Sequence, residues 1–325
     1  MEFIKAQRTK IAQIKATNLS QKTVLITGSN AGLGFEAARA VVPHNPERLI
    51  LAVRNIQKGE AAQRELNKIR SASTTIETRE LDQSSFASVR AFVKGLDGQR
   101  IDIALLNAGV WNSEFTQSED GLEWDLQVNT VAPALLALLL LPNLRHASSS
   151  PSALSAPSHL TFVSSGLHEN ARFAERNTPG NILDALNDPK RYQKQDRYPT
   201  CKTVGLLWTR ELAQRVPSSE IIINSATPGF CKTDLPRHMQ GFMAYAVKVA
   251  EVLLARSAQD GARCLLDAAM VQGEDTHGKY LSEMQVKPES KLIRSPESGA
   301  LQKTLWDEIV SLLKDQAELD SASIP

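Results

Sequence analysis

The stretch Val24-Leu25-Ile26-Thr27-Gly28-Ser29-Asn30-Ala31-Gly32-Leu33-Gly34, continuing into Phe35-Glu36-Ala37-Ala38-Arg39-Ala40-Val41-Val42, decides how this chain folds. It reads as a strand, a tight glycine-rich turn and a helix. That order leaves bare backbone N–H groups at a helix N-terminus, where they can hold a pyrophosphate. Gly28 permits the turn, Gly32 lets the phosphates approach the backbone, and Gly34 lets the helix pack closely on the strand.

Working outward, strand-like and helix-like segments alternate along all 325 residues. Strands are expected near 23–27, 48–53, 74–80, 101–106, 158–163, 220–225 and 278–282, with helices near 32–42, 56–70, 84–96, 120–146, 199–215, 258–271 and 298–315. Such alternation predicts an α/β fold, a doubly wound Rossmann-type parallel sheet with helices on both faces, in a single domain over 20–325 after an extension over 1–19. The net charge of +1 gives no general attraction to nucleic acid, and the 42% hydrophobic share suffices for a large core. A small molecule is the expected partner.

Cys201, Cys231 and Cys264 have no metal-ligand spacing and do not suggest a disulfide framework, which favours a reducing, cytoplasmic setting. The basic first 18 residues lack the continuous apolar segment of a secretory signal. Ala134 to Leu141 is too short to span a bilayer and reads as a helix buried against the sheet or another subunit, so no stable membrane insertion is expected.

Far downstream, Tyr198-Pro199-Thr200-Cys201-Lys202 puts a phenol and an ammonium one helical turn apart. Between the two motifs lie Asn107-Ala108-Gly109 after an apolar run, Val128-Asn129-Thr130, and Phe162-Val163-Ser164-Ser165, with Pro228-Gly229 beyond. In this order the motifs, covering roughly residues 20 to 285, strongly resemble the short-chain dehydrogenase/reductase family. Leu51-Ala52-Val53-Arg54-Asn55, Asp196-Arg197-Tyr198-Pro199 and His277-Gly278-Lys279-Tyr280-Leu281-Ser282 also look like a fungal branch of it, many of whose members act in secondary metabolism.

The resemblance implies catalytic roles for Asn129, Ser165, Tyr198 and Lys202. It implies a nicotinamide nucleotide held by Gly28, Asn30, Gly32, Leu33, Gly34, Arg54, Asp82, Gln83, Asn107, Ala108, Gly109, Tyr198, Lys202, Pro228, Gly229 and Thr233. Thr27 is expected to brace the turn, and Asp82 to lie beside the adenine or to cap a helix opening at Ser84. At the end of the second strand Ala52-Val53-Arg54-Asn55 carries no carboxylate for a ribose 2′-hydroxyl, whereas Arg54 suits a 2′-phosphate, so NADP(H) is favoured over NAD(H).

A free phenol ionises near pH 10, and a neighbouring cation such as Lys202 would stabilise its phenolate. In reduction Tyr198 would protonate a carbonyl oxygen that Ser165 also bonds. By resemblance Lys202 also binds the ribose, and Asn129 holds a water linking Lys202 to solvent. No metal is expected. A lone histidine is more often structural, so His168 stays outside the catalytic set.

Two segments are expected to shape a substrate site, 166–197 and 230–256. The first separates Ser165 from Tyr198 by 33 positions, far more than in the family's simpler members, and would bring Phe173 or Tyr192 near substrate. In the second, the Met-rich run Leu235 to Met243 suits either a lid over an apolar substrate or a core or interface segment. The expected activity is reduction of a ketone or aldehyde, or oxidation of the alcohol, on a mid-sized, largely apolar metabolite. A non-redox cyclase or isomerase, a nucleotide-sensing protein, and a lipid enzyme tethered through Phe3, Ile4, Ile11 and Ile14 are the alternatives. A homodimer through the helices holding Ala134–Leu141 and Lys202–Leu212 is possible if the C-terminal helix does not cover that surface.

Overall fold

The computed structural model describes residues 6–148, 156–232 and 254–325, so Thr233, the run 235–243 and most of the 148–157 connection lie outside the described residues. Eight strands form one sheet in the order β3-β2-β1-β4-β5-β6-β7-β8. They are β1 Thr23–Thr27, β2 Arg48–Val53, β3 Thr75–Glu80, β4 Ile103–Leu106, β5 Ser158–Val163, β6 Ile221–Thr227, β7 Tyr280–Ser282 and β8 Gln285–Val286. All neighbours pair in parallel except β7 and β8.

Parallel strands need long crossovers, and the helices that supply them cover both faces. These are α1 Gly32–Val41, α2 Ile56–Asn67, α3 Phe86–Gly95, α4 Ala132–Ser148, α5 Ile182–Asn187, α6 Arg197–Arg215, α7 Ala258–Met270 and α8 Ser298–Gln316. β4 and β6 are buried along their whole length, as continuous apolar runs such as Ile103-Ala104-Leu105-Leu106 require. The sheet separates two apolar clusters, a larger one under α3, α4, α6 and α8 and a smaller one under α1 and α7.

Every strand and helix expected from the sequence is present, and two small elements are added. Glu283 and Met284, at φ of 50° and 62°, turn the chain from β7 back into β8. Within the long 166–197 segment, α5 is capped by Asn181 and by Glu308 of α8, which accepts from the N–H groups of Ile182 and Leu183 at 2.9–3.0 Å. A carboxylate at a helix N-terminus satisfies orphan donors and opposes the dipole.

The helix surfaces expected to form a dimer lie inside the chain. Ala134 to Leu138 are fully buried in the larger cluster. α8 lies on α6, where Trp208 and Trp306 stack at 4.3 Å, Arg215 sits 4.3 Å over Trp306, and Gln302 donates to Glu211 at 2.8 Å. The helical stretch Trp124–Arg145 is long and apolar enough to cross a membrane, but 89% of that apolar window is buried in the protein.

Phe3 and Ile4 lie outside the described residues, and from Ala6 onward the N-terminal extension is packed on the protein. Ile11 is buried and Ile14 packs on the smaller cluster, so these two are not presented for a membrane. Gln7 donates to the carbonyls of Phe230 (2.8 Å) and Leu254 (3.0 Å) and accepts from the Phe230 N–H at 2.9 Å. Arg256 donates to the Ala6 carbonyl and pairs with Glu283 at 3.2 Å. One amide thus ties together the two described ends of the 230–254 segment.

Candidate active site

The strand order reverses direction between β1 and β4, and in such sheets ligands bind beyond the carboxyl ends of the strands at that point. A cavity of about 1140 Å³ opens there. The ends of β1, β2, β4, β5 and β6 each contribute to it, through Gly28, Arg54, Asn107, Ser165 and Thr227. Apart from Asn129, which lies just behind the wall, every described residue expected in catalysis or nucleotide binding lines this one cavity.

The glycine turn is built as a cradle. Gly28 has φ +66°, and a Cβ there would sit 3.0 Å from the Ala108 Cα. A Cβ on Gly34 would come within 2.3 Å of the Gly28 carbonyl oxygen, so any side chain there would push α1 off β1. Thr27 Oγ1 accepts from the Ala108 N–H at 2.9 Å, and Asn107 Nδ2 donates to the Thr27 carbonyl at 2.8 Å, tying the β1 and β4 turns together.

At the other end of this groove stand Arg54, Asn55 and Lys58. Asn55 caps α2 by accepting from the Lys58 N–H at 2.8 Å, which places two cations around the first turn of a helix. Asp82 folds back on Ser84, whose N–H and hydroxyl it accepts at 2.9 and 2.6 Å. The cap of α3 is Ser85 rather than Asp82, because the helix opens at Phe86. Gln83 donates to the Val128 carbonyl at 3.3 Å. The cradle, the paired cations and Ser164, whose buried Oγ has no hydrogen-bond partner among the described residues, fit a nicotinamide nucleotide.

Ser165, Tyr198 and Lys202 meet across the cavity. The Ser165 hydroxyl, which accepts from the Leu167 N–H at 3.2 Å, lines the cavity together with the Tyr198 phenol and favours its ionised form. Burial pushes the Tyr198 phenol well above its ordinary value, and Ser165 opposes that shift. Lys202 Nζ donates to the Val163 carbonyl at 2.9 Å and lies 5.5 Å from the centre of the Tyr198 ring. Burial pulls this ammonium down to about 8, opposed by the nearby Cys201 and Asp125.

Asn129 occupies a π-helical turn, Gln127–Val131, at the head of α4. Its amide is spent on Val110, accepting from the N–H at 3.0 Å and donating to the carbonyl at 2.9 Å. Gly109 separates it from Lys202, since a Cβ there would lie 2.9 Å from Asn129 Oδ1 and 3.8 Å from Lys202 Nζ. The missing side chain leaves room between the two.

The long 166–197 segment differs from expectation. Only its first turn, through Gly166, Leu167, Glu169 and Asn170, lines the cavity. Phe173 is fully buried in the larger core cluster, because Asp196 accepts from the Arg172 and Phe173 N–H groups at 2.8 and 3.0 Å and folds that part inward. Tyr192 turns its hydroxyl to the Asn112 carbonyl at 3.3 Å and also stays out of the cavity. The segment is anchored by the fully buried Arg197, 3.6 Å from Glu123 and 3.4 Å from Glu175. Asp125, beside this cluster, is pushed up to about 8 by burial and by the charge of Glu123.

His168 has a structural place. Its Nδ1 carries the proton to the Ser165 carbonyl at 2.7 Å, its Nε2 accepts from the Ser290 N–H at 3.1 Å, and burial pulls it below its ordinary value. Trp111, Lys58, Gln7 and Glu283 line the cavity without having been expected there. Lys58 had a signal, four residues past Arg54 on a helix. The other three had none.

A family model described as short chain dehydrogenase matches residues 22–156. The chain is 35% identical over 324 residues to the short-chain dehydrogenase anuD of Penicillium roqueforti, covering 97% of this chain and 84% of that one. It is 36% identical over 299 residues to the short chain dehydrogenase/reductase mfmJ of Annulohypoxylon moriforme, covering 91% and 85%. Among solved structures, an uncharacterized Mycobacterium paratuberculosis protein superposes with a TM-score of 0.69 at 26% identity, covering 92% of this chain and 96% of that one. An NADPH-bound carbonyl reductase from chicken fatty liver shares the fold, with a TM-score of 0.62 at 18% identity and coverage of 86% and 99%. This chain belongs to the short-chain dehydrogenase/reductase family. It is an oxidoreductase with a single Rossmann-type domain.

Proposed function

We propose that this protein is an NADPH-dependent reductase of a ketone or aldehyde on a mid-sized, largely apolar metabolite, with the alcohol oxidised in the reverse direction. The observation that carries the reading is the meeting of Ser165, Tyr198 and Lys202 at the wall of one cavity, with the Lys202 ammonium 5.5 Å from the centre of the phenol ring. A phenol kept protonated by burial is a proton donor, which suits carbonyl reduction. When bound, the nicotinamide nucleotide supplies the hydride. Ser165 orients the carbonyl oxygen, Tyr198 delivers its proton to that oxygen, and the Lys202 ammonium stabilises the phenolate left behind.

Lys202 and Asn129, with the space left by Gly109 between them, would return a proton to Tyr198 through water. Arg54 and Lys58 would pair with a 2′-phosphate, which no carboxylate at the end of β2 opposes. Asn30, Leu33, Asn107, Ala108, Pro228 and Gly229 line the remaining path of the nucleotide, and Thr233 is assigned to it by resemblance alone. Relatives from fungi support a role in fungal secondary metabolism, and the three buried free cysteines suit a cytoplasmic setting. The test is NADPH oxidation against a panel of carbonyl metabolites. Turnover with NADPH and little with NADH supports the reading, and turnover with neither overturns it.

A further inference from the structure

Trp111 lies against Tyr198, with ring centroids 4.8 Å apart and planes only 12° from parallel. It sits in the loop after β4 and lines the cavity beside the phenol. Loop backbone usually takes its hydrogen bonds from water. Here the residues on either side of the indole take theirs from side chains.

On one side, both backbone groups of Val110 are bonded to the Asn129 amide, at 3.0 and 2.9 Å. On the other, the Asn112 N–H donates to both carboxyl oxygens of Asp125 at 3.2 and 3.1 Å, and the Asn112 carbonyl accepts from Tyr192 at 3.3 Å. Tyr192 is in turn fixed edge-on by Phe115 at 5.7 Å and by Arg197 at 5.5 Å from its ring. Four backbone groups flanking one side chain are thus fastened by three side chains, two from the helical stretch Trp124–Arg145 and one from the 166–197 segment, so the indole has a fixed base.

We infer that Trp111 is a positioning residue for Tyr198. The clamped loop presses a flat, rigid indole on the phenol ring, fixes the plane in which the hydroxyl meets Ser165, and keeps water from the covered ring face. Proton transfer depends steeply on the placement of the donor, and a tyrosine ring held only at its Cβ can rock away from that placement. The inference rests on Tyr198 being the proton donor of the proposed reduction. Asp125 and Tyr192 act through Trp111 and touch no reacting atom.

The test uses the NADP-bound protein with ring-labelled tyrosine, whose four tyrosine signals are assigned for Tyr198 by the Tyr198→Phe variant. Trp111→Leu keeps apolar bulk but removes the plate. It should move and broaden the Tyr198 ring signal and lower kcat about tenfold, with KM for NADPH within about threefold. Trp111→Phe should restore most of kcat, and Tyr192→Phe, which loses one of the four clamps, should lower it about twofold to threefold. Wild-type kcat with an unmoved Tyr198 signal in Trp111→Leu overturns the inference, as does a change confined to KM for the carbonyl. Should the unmodified protein reduce no carbonyl in the panel, the proposed function falls, and the Tyr198 signal still decides whether Trp111 fixes the ring.

Discussion

Arg197 and Glu123 face each other at 3.6 Å with both side chains entirely buried. A buried pair gains little over an apolar replacement, but removing one partner strands the other charge. Arg197→Ala should therefore cost about 3–5 kcal/mol in urea unfolding, since Glu123 and Glu175 lose their shared cation. Combining Arg197→Met with Glu123→Gln should recover much of the loss. Arg197→Ala at wild-type stability would show that the cluster does not anchor the 166–197 segment.

Cofactor preference should follow the two cations at the start of α2, Arg54 just before its cap and Lys58 in its first turn. Arg54→Ala should weaken NADPH by about 1.5–3 kcal/mol, the worth of a hydrogen bond to a charged group, while leaving NADH unchanged. Lys58→Ala should do the same to a smaller extent. Calorimetric titration of both nucleotides is the check, and equal affinity of the unmodified protein for the two would defeat the assignment.

Tyr198→Phe deletes one hydroxyl and keeps the ring against Trp111, so turnover should collapse while NADPH affinity stays within a few-fold. Lys202→Ala should damage turnover and nucleotide binding together. Single-turnover kinetics and nucleotide titration separate the two patterns. Substantial reduction by Tyr198→Phe would point to another proton donor.

Acid should unfold the protein partly through His159, which burial pulls down to about 4, with the Lys22 charge adding to the shift. Between pH 6.5 and about 4 the unfolded chain binds a proton that the folded one refuses, so stability falls as pH is lowered through that window. The full effect is about 3 kcal/mol by pH 4, at 1.36 kcal/mol for each unit. His159→Gln should flatten the urea midpoint measured from pH 7 to 4.5. An unchanged slope would assign the loss to other groups.

Gln7, which lines the cavity beside Gly229 without touching the expected catalytic residues, should matter to the cleft. Gln7→Ala removes three bonds to Phe230 and Leu254, and KM for nucleotide and for carbonyl should rise about threefold or more at similar kcat. Steady-state kinetics decides this, with unchanged KM values counting against a role for the strap.

What could be read from the sequence was local. The Gly28-to-Gly34 turn and the strand ends carrying Asn107, Ser165 and Thr227 each follow from a few adjacent residues, and the parallel sheet brings them to one edge. Trp111 was illegible because its place depends on Asn129, Asp125 and Tyr192, whose bonds reach across 13 to 80 positions to Val110 and Asn112. α5 is too short to show periodicity, and Glu308, 126 positions from Ile182, supplies its cap. Phe173 read as a pocket aromatic for a related reason. Its direction is set by Asp196, 23 positions further on.

The Gln7 strap also orders events in time. Its bond to the Phe230 carbonyl spans 223 positions and that to Leu254 spans 247, so during synthesis the Gln7 amide must wait for both partners until the chain has grown by that much. This part of the cleft rim is thus closed by residues made long after Gln7. Ala6, Gln7 and Thr9 themselves help to line the cavity, so a deletion that removes them would take away part of its wall together with the strap.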